Sequence, residues 1–322
     1  MTDLTLPQDF RALSAMLGSN PLQVQGPGGN TSLKNNTQMW IKASGTELAD
    51  ALTSYIFVLI DRVAAKAEAE GAGDGSCKDT VLDSSVTLRP SIETTFHAAL
   101  NWPIVIHTHS ILTLAHATSA EGMNRLAVKL AGLPFVSVPY CKPGRELTEE
   151  ILKRVNTETQ VIVLQNHGLI VAAQTVADAA ALQREVEDRL ALHQAAMMAP
   201  CPSKAPPAGY AWYEDGGRLA QDEMLYQQAK SGSFYPDHVV FLGSGLTDYD
   251  ADRSRPVSLV AGEGILVRDD ATKSQRAMLQ CLIDFFAHKP CDWVPEPIAV
   301  RAEATLLNWD AEKYRQALAR KA

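Results

Sequence analysis

Three histidines stand at the ends of two apolar segments of the chain. His107 and His109 close the run at residues 104–109, and His167 follows the run at residues 160–165. In an extended strand, side chains two residues apart project from the same face, so the imidazoles of His107 and His109 point the same way. Three neutral imidazoles that converge from strand ends suit a catalytic divalent metal and leave a coordination position for substrate. The pattern therefore predicts a metal site and favours an enzyme over a binding module.

Glu93 and Tyr140 have chemistry that the sequence alone leaves open. Glu93 falls in the first turn of a helix predicted over residues 92–100, where the helix dipole favours an acidic side chain whether or not it is catalytic. Tyr140 lies near a glycine turn and could donate a proton, but a tyrosine packed at the end of a strand fits the same pattern. His97, four residues after Glu93, shares its helix face and could either support a metal ligand or be packed.

A glycine-rich stretch near the start of the chain could hold an anion. Residues 25–32 read Gln-Gly-Pro-Gly-Gly-Asn-Thr-Ser, and Ser44 and Gly45 follow a predicted hairpin. Backbone N–H groups exposed by glycine, together with Asn and Ser side chains, can cradle a phosphate or a carboxylate. The stretch matches neither of the common phosphate-loop patterns, so an ordinary turn and a binding loop are equal alternatives here.

Composition and charge restrict the partners that we expect. The chain has 322 residues, of which 46% are hydrophobic and 20% charged, as is ordinary for a globular protein. Its formal net charge of −8 gives no electrostatic footprint for nucleic acid. No apolar run reaches the roughly 18 residues that a membrane span needs, and the first residues lack the pattern of a signal peptide. We therefore expect a cytoplasmic protein with no nucleic-acid partner and no membrane partner.

Strands alternate with helices through the middle of the chain. Alternation of this kind predicts an α/β layered domain. The closely spaced runs at residues 160–165 and 169–173 indicate a tight antiparallel hairpin, so we expect a mixed sheet. The predicted strands are residues 104–108, 135–138, 160–165 and 169–173, and the predicted helices are residues 8–18, 110–118, 122–131, 146–155 and 176–198.

A proline-rich stretch at residues 199–207 contains four prolines and is typical of a linker or a stiff surface crossing. It predicts a domain over residues 1–199 and a smaller C-terminal lobe over residues 200–322. Within that lobe the sequence predicts helices near residues 217–230 and 271–287, two short final helices, and strands at residues 238–242, 257–260 and 264–268.

Five motifs in this order and spacing resemble the class II aldolase/adducin family over roughly residues 8–195. They are the Gly-Gly-Asn-Thr-Ser loop, Ser44-Gly45, Pro90-Ser91-Ile92-Glu93, His107-Thr108-His109 and Asn166-His167-Gly168. The resemblance implies a three-layer α/β/α sandwich around a mixed, mainly antiparallel sheet, and assembly as a homotetramer. Longer members of the family also carry a C-terminal lobe, which we expect here to be a smaller α+β unit.

The resemblance also implies the composition of the site. The metal would be Zn²⁺, with Mn²⁺, Fe²⁺ or Co²⁺ as alternatives, and its ligands would be His107, His109, His167 and Glu93. Glu93 would in addition move a proton during turnover. The positions that would hold the anionic group of the substrate are Gly29, Asn30, Ser44, Gly45 and Ser91.

The reaction implied by the resemblance is retro-aldol cleavage of a sugar, sugar phosphate or sugar acid through a metal-stabilised enediolate. The metal acts there as a Lewis acid toward the oxygens of a small hydroxy-carbonyl substrate. An epimerase or a decarboxylase of a related hydroxy or keto acid is an alternative, because its intermediate is similar. A non-catalytic adducin-like binding protein is a third hypothesis, and the presence of all the ligand residues argues against it.

The sequence departs from the family at two places, the residues that bind the substrate phosphate and the tyrosine that acts as a catalytic acid. Ile92 stands where the phosphosugar aldolases have a serine, and Pro27 or Gly28 stands where they have a small hydroxyl residue, so two phosphate contacts are missing. Those aldolases also take a catalytic tyrosine from a neighbouring subunit, whereas residues 110–133 here contain no tyrosine. We therefore expect Tyr140, or a residue of the C-terminal lobe, to take its place.

Overall fold

A mixed sheet of seven strands forms the centre of the first part of the protein. The computed structural model describes residues 4–320. The sheet order is β3-β2-β1-β4-β7-β6-β5, in which β5 and β6 are parallel and every other neighbouring pair is antiparallel. The strands are β1 (Asn30–Lys34), β2 (Gln38–Lys42), β3 (Phe57–Asp61), β4 (Ile104–Thr108), β5 (Phe135–Val138), β6 (Val161–Leu164) and β7 (Gly168–Ala173).

Helices cover both faces of this sheet, which confirms the predicted three-layer arrangement. In β4, Ile104 and Ile106 join an apolar cluster with α1, α5 and α7, whereas Val105 joins another cluster with α3 and α6. This alternation is the period of two expected for a strand that is buried on both faces. The helices are α1 (Gln8–Gly18), α2 (Arg62–Ala69), α3 (Thr94–Ala99), α4 (Ile111–Ala117), α5 (Ala120–Lys129), α6 (Arg145–Leu152) and α7 (Val176–Leu190). Helix α7 therefore ends before the predicted residue 198.

Residues 200–320, called here the C-terminal segment, form a second, smaller sheet with helices around it. The sheet has the antiparallel order β8-β10-β9, and β8 was not predicted from the sequence. Ile111 and Leu114 of α4 share the apolar core of this segment. The elements are β8 (Tyr210–Tyr213), α8 (Arg218–Gln221), α9 (Glu223–Lys230), α10 (Pro236–Leu242), β9 (Val257–Val260), β10 (Gly264–Arg268), α11 (Lys273–His288), α12 (Val300–Leu307) and α13 (Asp310–Ala319). The domain boundary at residue 199 stays a prediction.

The strand predicted at residues 238–242 was wrong, because these residues belong to the helix α10. Every residue of α10 is buried, so its apolar run has no polar face from which a helical period could be read. Pro236 at the first helical position was the available signal, because its fixed backbone suits a first turn. Between residues 4 and 320, no helix is long and apolar enough to cross a membrane.

Candidate metal centre

The antiparallel pairing of β4 with β7 brings the three histidines together. Thr108 pairs with Leu169, and the tight turn before β7, with Asn166 at φ 53°, places His167 beside the end of β4. The centroids of the three imidazole rings lie 4.9–5.4 Å apart. One ligand atom from each ring falls within 4.8 Å of the others, and all three residues are buried.

The donor set fits a divalent cation. His107 Nδ1 lies 3.0 Å from the carbonyl oxygen of Leu169, which leaves Nε2 as the free nitrogen. That Nε2 atom and Oε1 of Glu93 are buried and have no hydrogen-bond partner among the described residues. Burial lowers the pKa of both His109 and His167 to about 3, so each ring is neutral and can offer a lone pair. Imidazoles with one carboxylate form a site of the kind that zinc and related transition metals occupy.

Glu93 lies immediately before α3 and faces two of the histidines. Its Oε2 is 3.4 Å from Nε2 of His107, and its Oε1 is 3.3 Å from Nε2 of His167. Burial alone would raise the pKa of Glu93, but the two imidazoles and a hydrogen bond from Asn30 together hold that pKa below its usual value. Glu93 is therefore an ionised carboxylate that lies among the histidines, and the ligand role that the family resemblance implied for it stays a prediction.

A chain of hydrogen bonds holds Asn30 against Glu93. Asn30 Nδ2 contacts both Glu93 Oε2, at 2.8 Å, and Ser91 Oγ, at 3.1 Å. On its other side, Asn30 Oδ1 is bonded to His97 Nε2, and His97 Nδ1 lies 2.7 Å from Ser32 Oγ. His97 thus supports the residue that orients Glu93, which is the supporting role considered for it.

The residues predicted to bind an anion line one small cavity beside the histidines. The volume of this cavity is about 20 Å³, which is room for one water molecule. The hydroxyl oxygen of Ser44 is buried and has no hydrogen-bond partner among the described residues, so it is available to a ligand. The predicted residues on the lining are Gly29, Asn30, Ser44, Gly45 and Ser91, and their binding role stays a prediction.

Tyr140 is not among the described residues that line this cavity. Its ring packs against an apolar cluster of Val239, Ile298 and Leu306. Its hydroxyl group is buried without a hydrogen-bond partner within residues 4–320, and burial raises its pKa above the ordinary value. The assignment of Tyr140 as a proton donor stays a prediction to which this packing lends no support.

The C-terminal segment contributes charged residues to the cavity that sequence reasoning missed. Asp237, Glu312 and Arg315 line it, and Asp237 Oδ2 lies 3.4 Å from Nδ1 of His109. Burial alone would raise the pKa of Asp237, but the Arg315 guanidinium lowers it to about 2. Burial also raises the pKa of Glu312, to about 7. The sequence offered no local signal for this cluster beyond Pro236 at the start of α10.

Lys42 is a second buried cation at the cavity that the sequence did not single out. It is the last residue of β2, and its Nζ donates a 3.0 Å hydrogen bond to the carbonyl oxygen of Pro27. Burial, together with the positive charge of Arg315, lowers its pKa to about 7. The charge of Arg315 is paired with Asp237 and Glu312, so Lys42 is the basic group that can supply positive charge beside the predicted anion-binding residues.

The match to a known protein family lies in the first part of the chain. Residues 10–193 match the family model described as Class II Aldolase and Adducin N-terminal domain. Over 178 residues, which are half of its length, the chain is 29% identical to the Uncharacterized oxidoreductase YuxG of Bacillus subtilis. The match covers 26% of that protein. Over 113 residues, 31% of the chain, it is 31% identical to a 3-oxo-tetronate 4-phosphate decarboxylase of Escherichia coli O6:H1, and the match covers 53% of that protein. The matched stretches thus span only about a quarter and about half of these relatives.

A solved structure also resembles this fold. It is the N-terminal class II aldolase domain of a conserved protein from Thermoplasma acidophilum, with a TM-score of 0.51 and 25% sequence identity. The superposition covers 59% of this chain and 95% of the Thermoplasma chain. The similarity therefore extends over nearly the whole of that domain.

Proposed function

The chain belongs to the class II aldolase and adducin family, and on that premise we propose that it is a metal-dependent lyase that cleaves a small hydroxy-carbonyl substrate by retro-aldol chemistry. The observation that carries the proposal is the convergence of three buried imidazoles and one ionised carboxylate beside a small cavity. A structural core would not collect four such groups without a partner, because buried polar atoms are normally satisfied.

Each residue around the cavity has a role in this proposal. His107, His109, His167 and Glu93 would hold the ion, and Zn²⁺ or a related divalent ion supplies Lewis-acid polarisation of substrate oxygens. Glu93 is the carboxylate placed to hold or move a proton. Asn30 orients Glu93 through its 2.8 Å hydrogen bond.

The anionic end of the substrate would bind between Ser44 and Lys42, where the cavity of about 20 Å³ must widen to admit a group larger than water. Ser44 Oγ is an unused donor and Lys42 supplies a basic group on the cavity lining, whereas the charge of Arg315 is paired with Asp237 and Glu312. Ile92 also lines the cavity and cannot donate a hydrogen bond. The anion would therefore be held by one hydroxyl group and one amine, which suits a carboxylate as well as a phosphate.

Metal analysis tests the first part of the proposal. Protein purified without added metal should contain zinc, manganese, iron or cobalt, and His107→Ala should lose it. His193→Ala is the matched control, because His193 is an exposed histidine outside the cavity. An absence of all four metals, unchanged by His107→Ala, would contradict the proposal.

A substrate panel tests the second part. Ketose phosphates and sugar acids should be incubated with the metal-loaded protein, and the released aldehyde should be measured. Activity should disappear in His107→Ala and persist in His193→Ala. Release of aldehyde from no member of the panel, by protein that holds its metal, would count against retro-aldol cleavage.

Decarboxylation of a 3-oxo acid is the second candidate reaction. It is favoured by the similarity to a 3-oxo-tetronate 4-phosphate decarboxylase. The same metal site would serve it, because both reactions leave negative charge on oxygens next to the broken bond. Carbon dioxide in place of aldehyde would identify this reaction, and an isomerised substrate without cleavage would identify an epimerase.

Homotetrameric assembly is part of the proposal as well. It is expected from the family resemblance, and the site described here draws on residues of a single chain. Light scattering on the purified protein would measure the mass of the assembly. A monomeric mass of 34.9 kDa would contradict the tetramer and leave the proposed chemistry standing.

A further inference from the structure

Asp237 joins the C-terminal segment to the histidine cluster. It is the second residue of α10, is only 2% exposed, and lies 3.4 Å from Nδ1 of His109. A histidine that binds a metal through one ring nitrogen usually directs the other to a carboxylate or a carbonyl oxygen, which fixes the ring. The Leu169 carbonyl serves His107 in this way. Asp237 is the corresponding group for His109.

Arg315 holds the carboxylate of Asp237 from the opposite side. Its two terminal nitrogens donate to the two oxygens of Asp237, at 2.9 and 3.2 Å, across 78 positions of sequence. The same guanidinium donates to Glu312 at 2.9 Å. A two-pronged pair of this kind restricts both the position and the rotation of a carboxylate.

The burial pattern of α13 indicates that its buried charged residues do more than attach the helix to the rest of the protein. Of its ten residues, the buried ones are Glu312 and Arg315. Burying charged groups costs about as much desolvation energy as their attraction returns, so apolar residues would attach the helix at least as well. The buried charges of α13 instead line the cavity that His109 and His167 also line.

We propose that Asp237, held in place by Arg315, is a positioning residue of the metal centre that orients His109. The C-terminal segment thereby completes a site whose proposed ligands all come from the family-matched part of the chain. This inference rests on the proposed metal site. It goes further in assigning a role there to residues that lie outside the matched region.

Asp237→Asn tests the assignment, because the amide keeps the size of the side chain and removes its charge. We expect the affinity for Zn²⁺, measured by competition with a chromophoric chelator, to fall about 10- to 100-fold. We also expect the visible ligand-field bands of the Co²⁺-loaded protein to shift. Asp248→Asn is the matched control, since it breaks an ion pair with Lys230 in the same segment, and its affinity and bands should match wild type.

Asp237→Glu separates position from charge. Glutamate keeps the negative charge but displaces the carboxylate by one methylene group, so we expect it to recover only part of the lost affinity. Full recovery of both affinity and Co²⁺ bands would show that charge alone matters and would overturn the positioning role. If Asp237→Asn does not fold, Arg315→Lys takes its place, because lysine keeps the charge but cannot grip both oxygens. It should weaken Zn²⁺ binding severalfold, and unchanged affinity would overturn the inference.

The outcomes also distinguish this inference from the proposed function. Wild-type protein that binds no divalent metal would defeat the proposed metal site. Wild-type affinity and Co²⁺ bands in folded Asp237→Asn, beside loss of metal in His107→Ala, would overturn the role of Asp237 alone.

Discussion

Asn30 donates a 2.8 Å hydrogen bond to Glu93 across 63 positions of sequence. The pairing of β1 with β4 sets this contact, because it places Asn30 opposite His107. The other end of the Asn30 amide is bonded to His97. Since both ends of the amide are engaged, Asn30 orients the carboxylate and has little capacity left to bind substrate.

Replacement of Asn30 should destabilise the protein and leave the Glu93 carboxylate without the hydrogen bond that orients it. Asn30→Ala leaves a carboxylate oxygen and an imidazole nitrogen buried without their partner. We expect the free energy of unfolding to fall by about 1–3 kcal/mol, measured by urea denaturation. Asn308→Ala is a suitable control, because Asn308 is exposed and its side-chain amide donates to the carbonyl oxygen of Ala304 one turn earlier. An Asn30→Ala protein as stable as this control would argue against the hydrogen-bond chain.

Gly168 is required for the close approach of β7 to β4. A Cβ atom at this position would lie 2.2 Å from the backbone oxygen of Thr108. Gly168→Ala should therefore push the strands apart beside the histidines, lowering the free energy of unfolding by about 1–3 kcal/mol and weakening Zn²⁺ binding. Gly264→Ala is the control, because Gly264 also begins a strand but its nearest contact would be 3.4 Å away. Equal effects of the two changes on Zn²⁺ affinity would contradict the prediction.

Gly45 meets Leu318 of α13, so this pair reports how closely that helix is docked. Gly45 has φ +78°, and a Cβ there would lie 2.3 Å from Leu318 Cδ1. Gly132→Ala provides the strain of a positive φ alone, since its φ is +88° and nothing lies within 4 Å. We expect Gly45→Ala to cost about 1 kcal/mol more than Gly132→Ala in denaturant unfolding.

A second substitution in the same pair separates the steric clash with Leu318 from the backbone strain at Gly45. Leu318→Ala, added to Gly45→Ala, should recover the extra cost, because it removes the methyl groups that the new Cβ meets. The strain of the positive φ should remain. Simple additivity of the two changes would show that α13 does not rest on Gly45 in solution.

Glu187 of α7 should make stability depend on pH. Burial raises its pKa to about 7 in the folded protein, whereas an unfolded glutamate titrates near pH 4.3, so the folded state binds the extra proton between these values. Stability therefore falls as the pH rises through this window and levels off above it. Relative to Glu187→Gln, wild type should lose about 2 kcal/mol of unfolding free energy between pH 5 and pH 8. A constant difference between the two proteins in urea at both pH values would refute this.

Local patterns in the sequence were enough to predict the sheet and the histidine cluster. The strands β4 and β7 are short apolar runs, and the two-residue spacing of His107 and His109 determines that they share a face. The resemblance added Glu93, which spacing alone assigned no better to catalysis than to a helix start. The structure places Glu93 between His107 and His167, and its role as a metal ligand stays a prediction.

The contribution of the C-terminal segment could not be predicted in the same way. Asp237 and Arg315 are 78 positions apart and meet only because α10 and α13 pack together, so no local pattern connects them. The wrong strand at residues 238–242 concealed Asp237 further, since it hid the helix that Asp237 begins. A helix buried on all sides has a sequence that periodicity cannot distinguish from a strand.

The contact between Asp237 and His109 has a thermodynamic corollary. If the docking of α10 and α13 strengthens the binding of an ion, the bound ion must stabilise the docking of these helices by the same free energy. This follows because the coupling between two binding events is reciprocal. Withdrawing the ion with a chelator would thus loosen a part of the protein that supplies none of the three imidazoles. Binding of the cation and docking of α10 and α13 would therefore stabilise each other.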